Sequence, residues 1–323
     1  MSKRGRVWLI SIAGSAALIM LLLTFTDAVT LRALWGELPW PLVLTGLLVL
    51  QLEGICSAVR LRLTAAPAST LFDNLVVTAW WVAGLIVLPA RLGEIGGMHM
   101  LVRRLGVAPG AAVNSLLVQR LFDVLILFVL GSTAIAAQNA RLNPHDLLLV
   151  LTVCAAITVV LIARLANGFA LLATLIRPYR RSAPARAVLR LALSARRAAI
   201  AVSGAAVLAR IGIITLLKWI SNLAAISIII VAALPQLPWS AAFLVAILFN
   251  LAAVIPLQTI GGVGLGEVTF AAGLSWYGID LATAASAALV LRAMLIVGTL
   301  TFSAVVLLSE RLIASTSQAS AER

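Results

Sequence analysis

Apolar residues run along this chain in blocks of about twenty, and polar residues are largely confined to the breaks between them. A bilayer core of about 30 Å takes roughly 20 residues of helix. Eight blocks therefore predict full spans, at 7–25, 40–59, 71–88, 111–137, 147–163, 205–234, 239–255 and 281–308. Several exceed the minimum, so tilted or kinked helices are expected. The two-residue alternation of a membrane strand occurs nowhere, which excludes a transmembrane barrel. Two further segments, 89–104 and 256–276, are apolar but short and interrupted by glycine and proline. Irregular backbone at membrane depth survives only where protein or a water-filled cavity surrounds it, so these segments predict broken or re-entrant elements. The expected fold is all-α: a polytopic bundle of about eight full spans plus two short motif segments.

Composition agrees. Of 323 residues, 63% are hydrophobic and 11% charged, and mean hydropathy is +1.12, far from the make-up of soluble domains. No hydrophilic stretch is long enough for a separate globular domain, so 1–323 is read as one integral membrane domain. The first block, preceded by Lys3, Arg4 and Arg6, lacks a small-residue cleavage pattern and is read as a span and not a leader. The net charge of +13 would suggest nucleic acid in a soluble protein. Here the cations cluster at the ends of apolar blocks, where they set orientation and meet anionic lipid, so lipid is the expected partner and nucleic acid is not. Cys56 and Cys154 lie in separate blocks, giving neither a disulfide framework nor a zinc spacing. His99 and His145 are too few for a metal site, and no cofactor is expected.

The segment 164–200 carries eight arginines and no acid, which places it on the cytoplasmic side of a cell membrane. The basic amino terminus makes the same claim, yet five spans separate the two. Two topologies resolve this. Either 89–104 carries the chain across, and 256–276 likewise, giving an inverted repeat of discontinuous helices (first repeat about 71–137, second about 239–308); or one motif is re-entrant and the amino terminus breaks the rule. Residues 185–200 are expected to form an amphipathic helix on the membrane surface, with Arg186, Arg190 and Arg197 on one side and Val188, Ala195 and Ala199 opposite, although Leu189 and Leu193 blur the separation; the segment is either an ordinary basic loop obeying the orientation rule or a dedicated contact for anionic lipid.

The candidate chemistry lies in the two motifs. Pro89-Ala-Arg91-Leu-Gly-Glu94 is echoed by Pro256-Leu-Gln-Thr-Ile-Gly-Gly262-Val-Gly264-Leu-Gly-Glu267, and Glu267 is the lone acid between Asp146 and Asp280. Glu94 is followed by Arg120 in the next block, and Glu267 by Arg292. Ionisable groups inside spans face partners or cavities. Arg120 and Asp123, three apart on one helix, can pair locally; Glu94 can also meet Arg120, and Glu267 can meet Arg292. These pairs are either structural salt bridges or a pocket in which arginines hold a phosphate by paired donors while the acids neutralise it. Gly262 and Gly264 allow close backbone approach and aim helix-end amides at an anion, or serve plain helix packing. No strand precedes them, so a nucleotide-binding loop is rejected. Lys218, four residues before Asn222, either extends the polar face or snorkels. Glu53 and Arg60, seven apart on one face, are read as structural.

With these residues in view, the chain resembles the transmembrane domain family of lysylphosphatidylglycerol synthases, flippase-like proteins found alone or fused to an aminoacyltransferase. The resemblance lies in Pro89-x-Arg91-x-Gly93-Glu94, Arg103-Arg104, Gln119-Arg120-x-x-Asp123, Pro256, Gly261-Gly262-x-Gly264-x-x-Glu267 and Arg292, with Gln119 where the family often has glutamate. It implies binding or movement of lipids with charged headgroups. Only Arg311 to Arg323 follow the last span, so aminoacylation by this chain alone is not expected. The expected function is passive or proton-coupled translocation of a phospholipid or lipid-linked headgroup, anionic or zwitterionic, through a polar mid-bilayer cavity in the inner membrane. The substrate-binding set is Arg91, Glu94, Arg120, Asp123, Lys218, Gly262, Gly264, Glu267 and Arg292. The alternatives are a membrane lipid-headgroup transferase with Glu94 or Glu267 as base, and a lipid-binding subunit beside a lipid-synthesising enzyme.

Overall fold

The computed structural model describes residues 26–88, 92–138, 144–254 and 265–321, with Met20 and Thr24. All regular structure among them is helical: α1 Ala28–Glu37, α2 Trp40–Ala65, α3 Leu71–Val87, α4 Leu92–Leu105, α5 Pro109–Gln138, α6 Pro144–Ile176, α7 Ala183–Ala201, α8 Ala205–Ala233, α9 Trp239–Val254, α10 Leu265–Ser275 and α11 Leu281–Ala321, with a 3-10 turn at Arg177–Tyr179. Five of them contain stretches long and apolar enough to cross a membrane: Trp40–Ala65, Pro109–Gln138, Thr152–Tyr179, Ala205–Ala233 and Leu281–Ser315. The chain is a polytopic helical membrane protein. Helices α3 and α9, expected as full spans, have 17 and 16 residues, a rise of only ~24–26 Å. Pro89 follows closely on the end of α3, and a helix seldom continues through the residue before a proline. The expected first span, 7–25, lies almost wholly outside the described residues.

Local sequence explains several of the ends. Asp27 caps α1 by accepting from the Thr30 amide at 3.0 Å, Ser182 caps α7 by accepting from Ala185 at 3.3 Å, and Asp280 caps α11 by accepting from Thr283 at 2.9 Å. Hydrogen bonds from the Thr283 side chain and amide hold the exposed Asp280 carboxyl below its ordinary range. The two motif helices share a construction. Both α4 and α10 open Leu-Gly-Glu, Leu92-Gly93-Glu94 and Leu265-Gly266-Glu267, and each is followed within a few residues by a left-handed glycine, Gly106 (φ 65°) and Gly278 (φ 79°). An acid in the first turn suits the helix dipole, and glycine is the residue for a left-handed stop.

The chain falls into two compact units: Met1–Gly54, Ala79–Ile95 and Ile220–Arg323 form one, Ile55–Thr78 and Gly96–Trp219 the other. In the first, which carries Glu267, α9 packs on α10 and α10 on α11. Phe249 and Phe270 meet edge to face, with centroids 6.2 Å apart. Gly266 lies against Phe249, so that a Cβ there would come within 3.1 Å of the ring. Gly93 packs more tightly: a Cβ would lie 2.4 Å from the Leu85 nitrogen and 2.6 Å from the Gly84 carbonyl oxygen. Because backbone atoms cannot move aside as a side-chain tip can, Gly93→Ala is expected to cost about 1–3 kcal/mol. A clear fall in the unfolding temperature of the detergent-solubilised chain would report it, and Gly96→Ala, where a Cβ meets nothing within 4 Å, is the control.

In the second unit, which carries Asp123, α5 and α6 pack together and α7 lies on both. Val118 and Phe122 of α5, Ile162 of α6, Val202 and Ile211 form its buried core, with Leu63, Leu165 and Leu208 packed around it. The amphipathic helix expected at 185–200 is α7. It buries Ala192, Ala195 and Ala199, a face of small residues that lets α5 approach closely. At Gly110 the approach is closest: its amide donates to Ser194 Oγ at 3.1 Å, and a Cβ there would fall 2.3 Å from the Leu191 carbonyl oxygen.

Candidate functional site

Among the described residues, each unit contains a buried cluster of charge. In the first, Glu267 stands in the first turn of α10 and is wholly buried. Its Oε1 accepts from Arg292 Nε at 2.5 Å and is also met by Arg292 Nη2, an arrangement that fixes the guanidinium plane. The Arg292 guanidinium lies 5.3 Å from the Phe249 ring centroid, within cation–π range. Its side chain keeps 16% of its surface accessible, so the pair is buried on the acid side and reachable on the arginine side. The pairing expected from sequence is therefore present. A polar chain that the sequence reading did not assemble lies in the same unit. Asn250 of α9 donates to Asn222 Oδ1 at 3.0 Å, and Asn222 of α8 donates to Glu53 Oε2 of α2 at 2.8 Å.

In the second unit everything converges on Asp123 of α5. Its Oδ1 accepts from Arg60 Nη1 at 2.5 Å, from Trp219 Nε1 at 2.8 Å and from Lys218 Nζ at 3.5 Å. Arg120 Nη1 lies 3.9 Å from Oδ2. Three cations thus stand within 4 Å of one carboxylate. Lys218 does not snorkel: it is buried, its ammonium 3.6 Å from the Trp219 ring centroid. Next along the same face of α5, Gln119 donates to Ser115 Oγ at 2.9 Å and to Thr64 Oγ1 at 3.1 Å, while Thr64 and Ser115 hydroxyls meet at 2.6 Å. Spacings of four residues, Ser115, Gln119 and Asp123 on α5 against Arg60 and Thr64 on α2, build this ladder. Gln119 serves there as an amide donor, a task a glutamate would not perform.

Arg120, Asp123 and Lys218 are therefore gathered in one cluster, and Glu267 with Arg292 in another. Glu94 is half-buried in the first turn of α4. Arg91, Gly262 and Gly264 lie outside the described residues. Arg60 and Trp219 were missed as members of the Asp123 cluster. The i, i+3 pair with Arg120 had already supplied Asp123 with a partner, and an indole N–H leaves no trace in a charge count. The signal was present in Arg60 itself, since an arginine inside an apolar block needs an anion. Among the described residues no group of three His, Cys, Asp or Glu side chains could hold a metal ion.

An all-helical membrane protein with buried, paired charges in apolar helices is the class these features define. The chain belongs to the family described as the lysylphosphatidylglycerol synthase TM region, whose model matches residues 8–302. No curated protein and no solved structure matches it.

Proposed function

We propose that this protein moves lipids with charged headgroups between the leaflets of the cell's inner membrane, with the basic 164–200 segment and the amino terminus on the cytoplasmic side. The observation that carries the reading is the Arg292–Glu267 pair, a guanidinium oriented by a buried carboxylate in a helix apolar enough to span. Burying charge is costly, and a packed apolar pair of the same volume would often be as stable. A headgroup phosphate gives the pair a use. It can join the Glu267 carboxylate on the guanidinium by taking accessible donors other than those that meet Glu267, so that neither buried charge loses its partner. Phe249 holds the guanidinium meanwhile through its ring face. The Asp123 cluster offers a second stopping point, where Arg120 and Lys218 surround one carboxylate and Arg120, its side chain 36% exposed, is the reachable member. Arg91, Glu94, Gly262 and Gly264 complete the proposed substrate-binding set, with passage passive or coupled to protons through Glu94 or Glu267. A lipid-synthesising enzyme is the expected source of the cargo.

The test is reconstitution of the purified chain in liposomes carrying labelled phosphatidylglycerol, its lysyl ester or phosphatidylcholine, with leaflet exchange followed over time. Wild type is expected to speed exchange of a charged lipid, and Arg292→Ala and Arg120→Gln to slow it by about tenfold or more, equivalent to at least ~1.4 kcal/mol of lost interaction. Equal exchange in wild type and both variants, or none in any, overturns the reading.

A further inference from the structure

The amphipathic helix α7 and the turn before it suggest a second kind of lipid site, separate from the two buried clusters. Its inward face is settled by Ala192, Ala195 and Ala199. The outward face is mixed. Arg186, Arg190, Arg196 and Arg197 are exposed there, and so are Leu193 and Ile200. Leu193, which blurred the polar and apolar sides in the sequence, is left uncovered by protein because the alanines occupy the packed side. A helix that offers arginine and aliphatic side chains on one uncovered face suits the headgroup–acyl boundary better than bulk water.

Immediately before α7, three arginines fall within five residues, Arg177, Arg180 and Arg181. A cleft of about 550 Å³ is lined by Thr174, Arg177, Pro178, Arg180 and Arg181. No acid occurs in the sequence from 147 to 266. The apolar stretch Thr152–Tyr179 that leads into the cleft is long enough to span and ends at this turn, which places the arginines at the end of a span, where cations meet anionic lipid. Around it Leu171, Leu175 and Tyr179 are exposed, Tyr179 by 70%, as befits an aromatic side chain at a membrane interface.

We infer that the α6–α7 turn is a binding site for an anionic phospholipid of the surrounding leaflet, held in place and not carried across. The headgroup phosphate would sit among Arg177, Arg180 and Arg181, using the paired donors that make guanidinium the preferred phosphate partner. The glycerol and upper acyl chains would lie against Leu175 and Tyr179. Exposed Leu171, Leu175 and Tyr179 close by at the same helix end favour a lipid over free phosphate, and placement at the end of a span favours it over an acidic protein in solution. The lipid would tie the turn and α7 to the membrane surface. Because α7 lies on α5 at Gly110, the same lipid would steady the Asp123 unit.

The experiment uses the full-length chain in detergent, with dioleoylphosphatidylglycerol or dioleoylphosphatidylcholine added. Native mass spectrometry counts retained lipids and thermal unfolding reads stability. Wild type is expected to retain phosphatidylglycerol about tenfold more tightly than phosphatidylcholine and to gain unfolding temperature from it, as any ligand of the folded state does. The triple variant Arg177→Gln, Arg180→Gln, Arg181→Gln is expected to lose both the preference and the gain, while unfolding as wild type does without added lipid. The corresponding triple lysine variant, which keeps charge but loses paired donors, is expected to keep part of the preference and holds the test open should the glutamine variant misfold. The inference is overturned if the glutamine variant, or the lysine variant in its place, retains phosphatidylglycerol as wild type does without any drop in preference. It is also overturned if wild type does not distinguish the two lipids, or if millimolar inorganic phosphate or soluble polyglutamate displaces the bound lipid.

Discussion

Arg292→Ala should destabilise the protein by about 3–5 kcal/mol, the usual cost of removing one partner from a buried ion pair. The size follows from the asymmetry of the pair. Glu267 is wholly buried while Arg292 is not, so truncating the arginine strips the buried carboxylate of a guanidinium that reaches its Oε1 through two nitrogens, with little water at hand to replace it. Deleting the acid as well removes the reason for the penalty. The double variant Arg292→Ala, Glu267→Gln should therefore recover more than half of the loss in a thermal or denaturant unfolding series, a coupling that only a double-mutant cycle isolates. Arg292→Lys should recover less than the double variant, because an ammonium supplies neither the planar pair of donors nor the fit over Phe249. If Arg292→Ala unfolds at the wild-type temperature, the pair is not what holds α10 against α11.

How far the sequence could reach depended on what each residue leaves in a pattern. Hydropathy is enough for the long helices, because apolar blocks of this length have few other solutions. It misjudged ends. The apolar block that stopped at 163 belongs to a helix running on to Ile176, since Arg164 interrupts hydropathy but is a good helix former that can extend its charge out of the bilayer. The Glu267–Arg292 pair was legible because each is isolated: one acid and one arginine with no local partner must find each other. The Asp123 cluster was half legible for the opposite reason, since Arg120 nearby appeared sufficient and hid the long-range partner Arg60. Asn250 was illegible altogether. An asparagine amid apolar residues carries no charge, and its bond to Asn222 depends on how α8 and α9 are rotated, which periodicity alone does not determine. Gly93 was marked as part of a motif, but only the fold shows the close backbone contact with Gly84 and Leu85 that leaves no room for a Cβ there.

Asp123→Asn is expected to be at least as damaging as the loss of Arg292, and for a reason that reverses the charges. Here one carboxylate serves several cations, so its neutralisation leaves repulsion behind as well as lost attraction. Arg60 bears most of the cost: its side chain is 6% exposed, its Nε has no hydrogen-bond partner, and Asp123 is the carboxylate it touches. Isosteric asparagine preserves shape and could still accept from the Trp219 indole, so packing is not the cause. A loss of about 3–5 kcal/mol, the range for an uncompensated buried charge, would be a large fraction of the stability of an ordinary domain. The variant should accumulate poorly and unfold early in detergent. Adding Arg60→Met, which removes the stranded guanidinium and fills its space with an unbranched apolar chain, should restore at least half of the loss, whereas adding Arg120→Gln should restore little, because that side chain is 36% exposed and stands 3.9 Å from the carboxylate. If the two second-site changes rescue equally, the penalty belongs to the net charge of the unit and not to the contact between Arg60 and Asp123. If neither does, the Lys218 contact to the same oxygen carries the cluster.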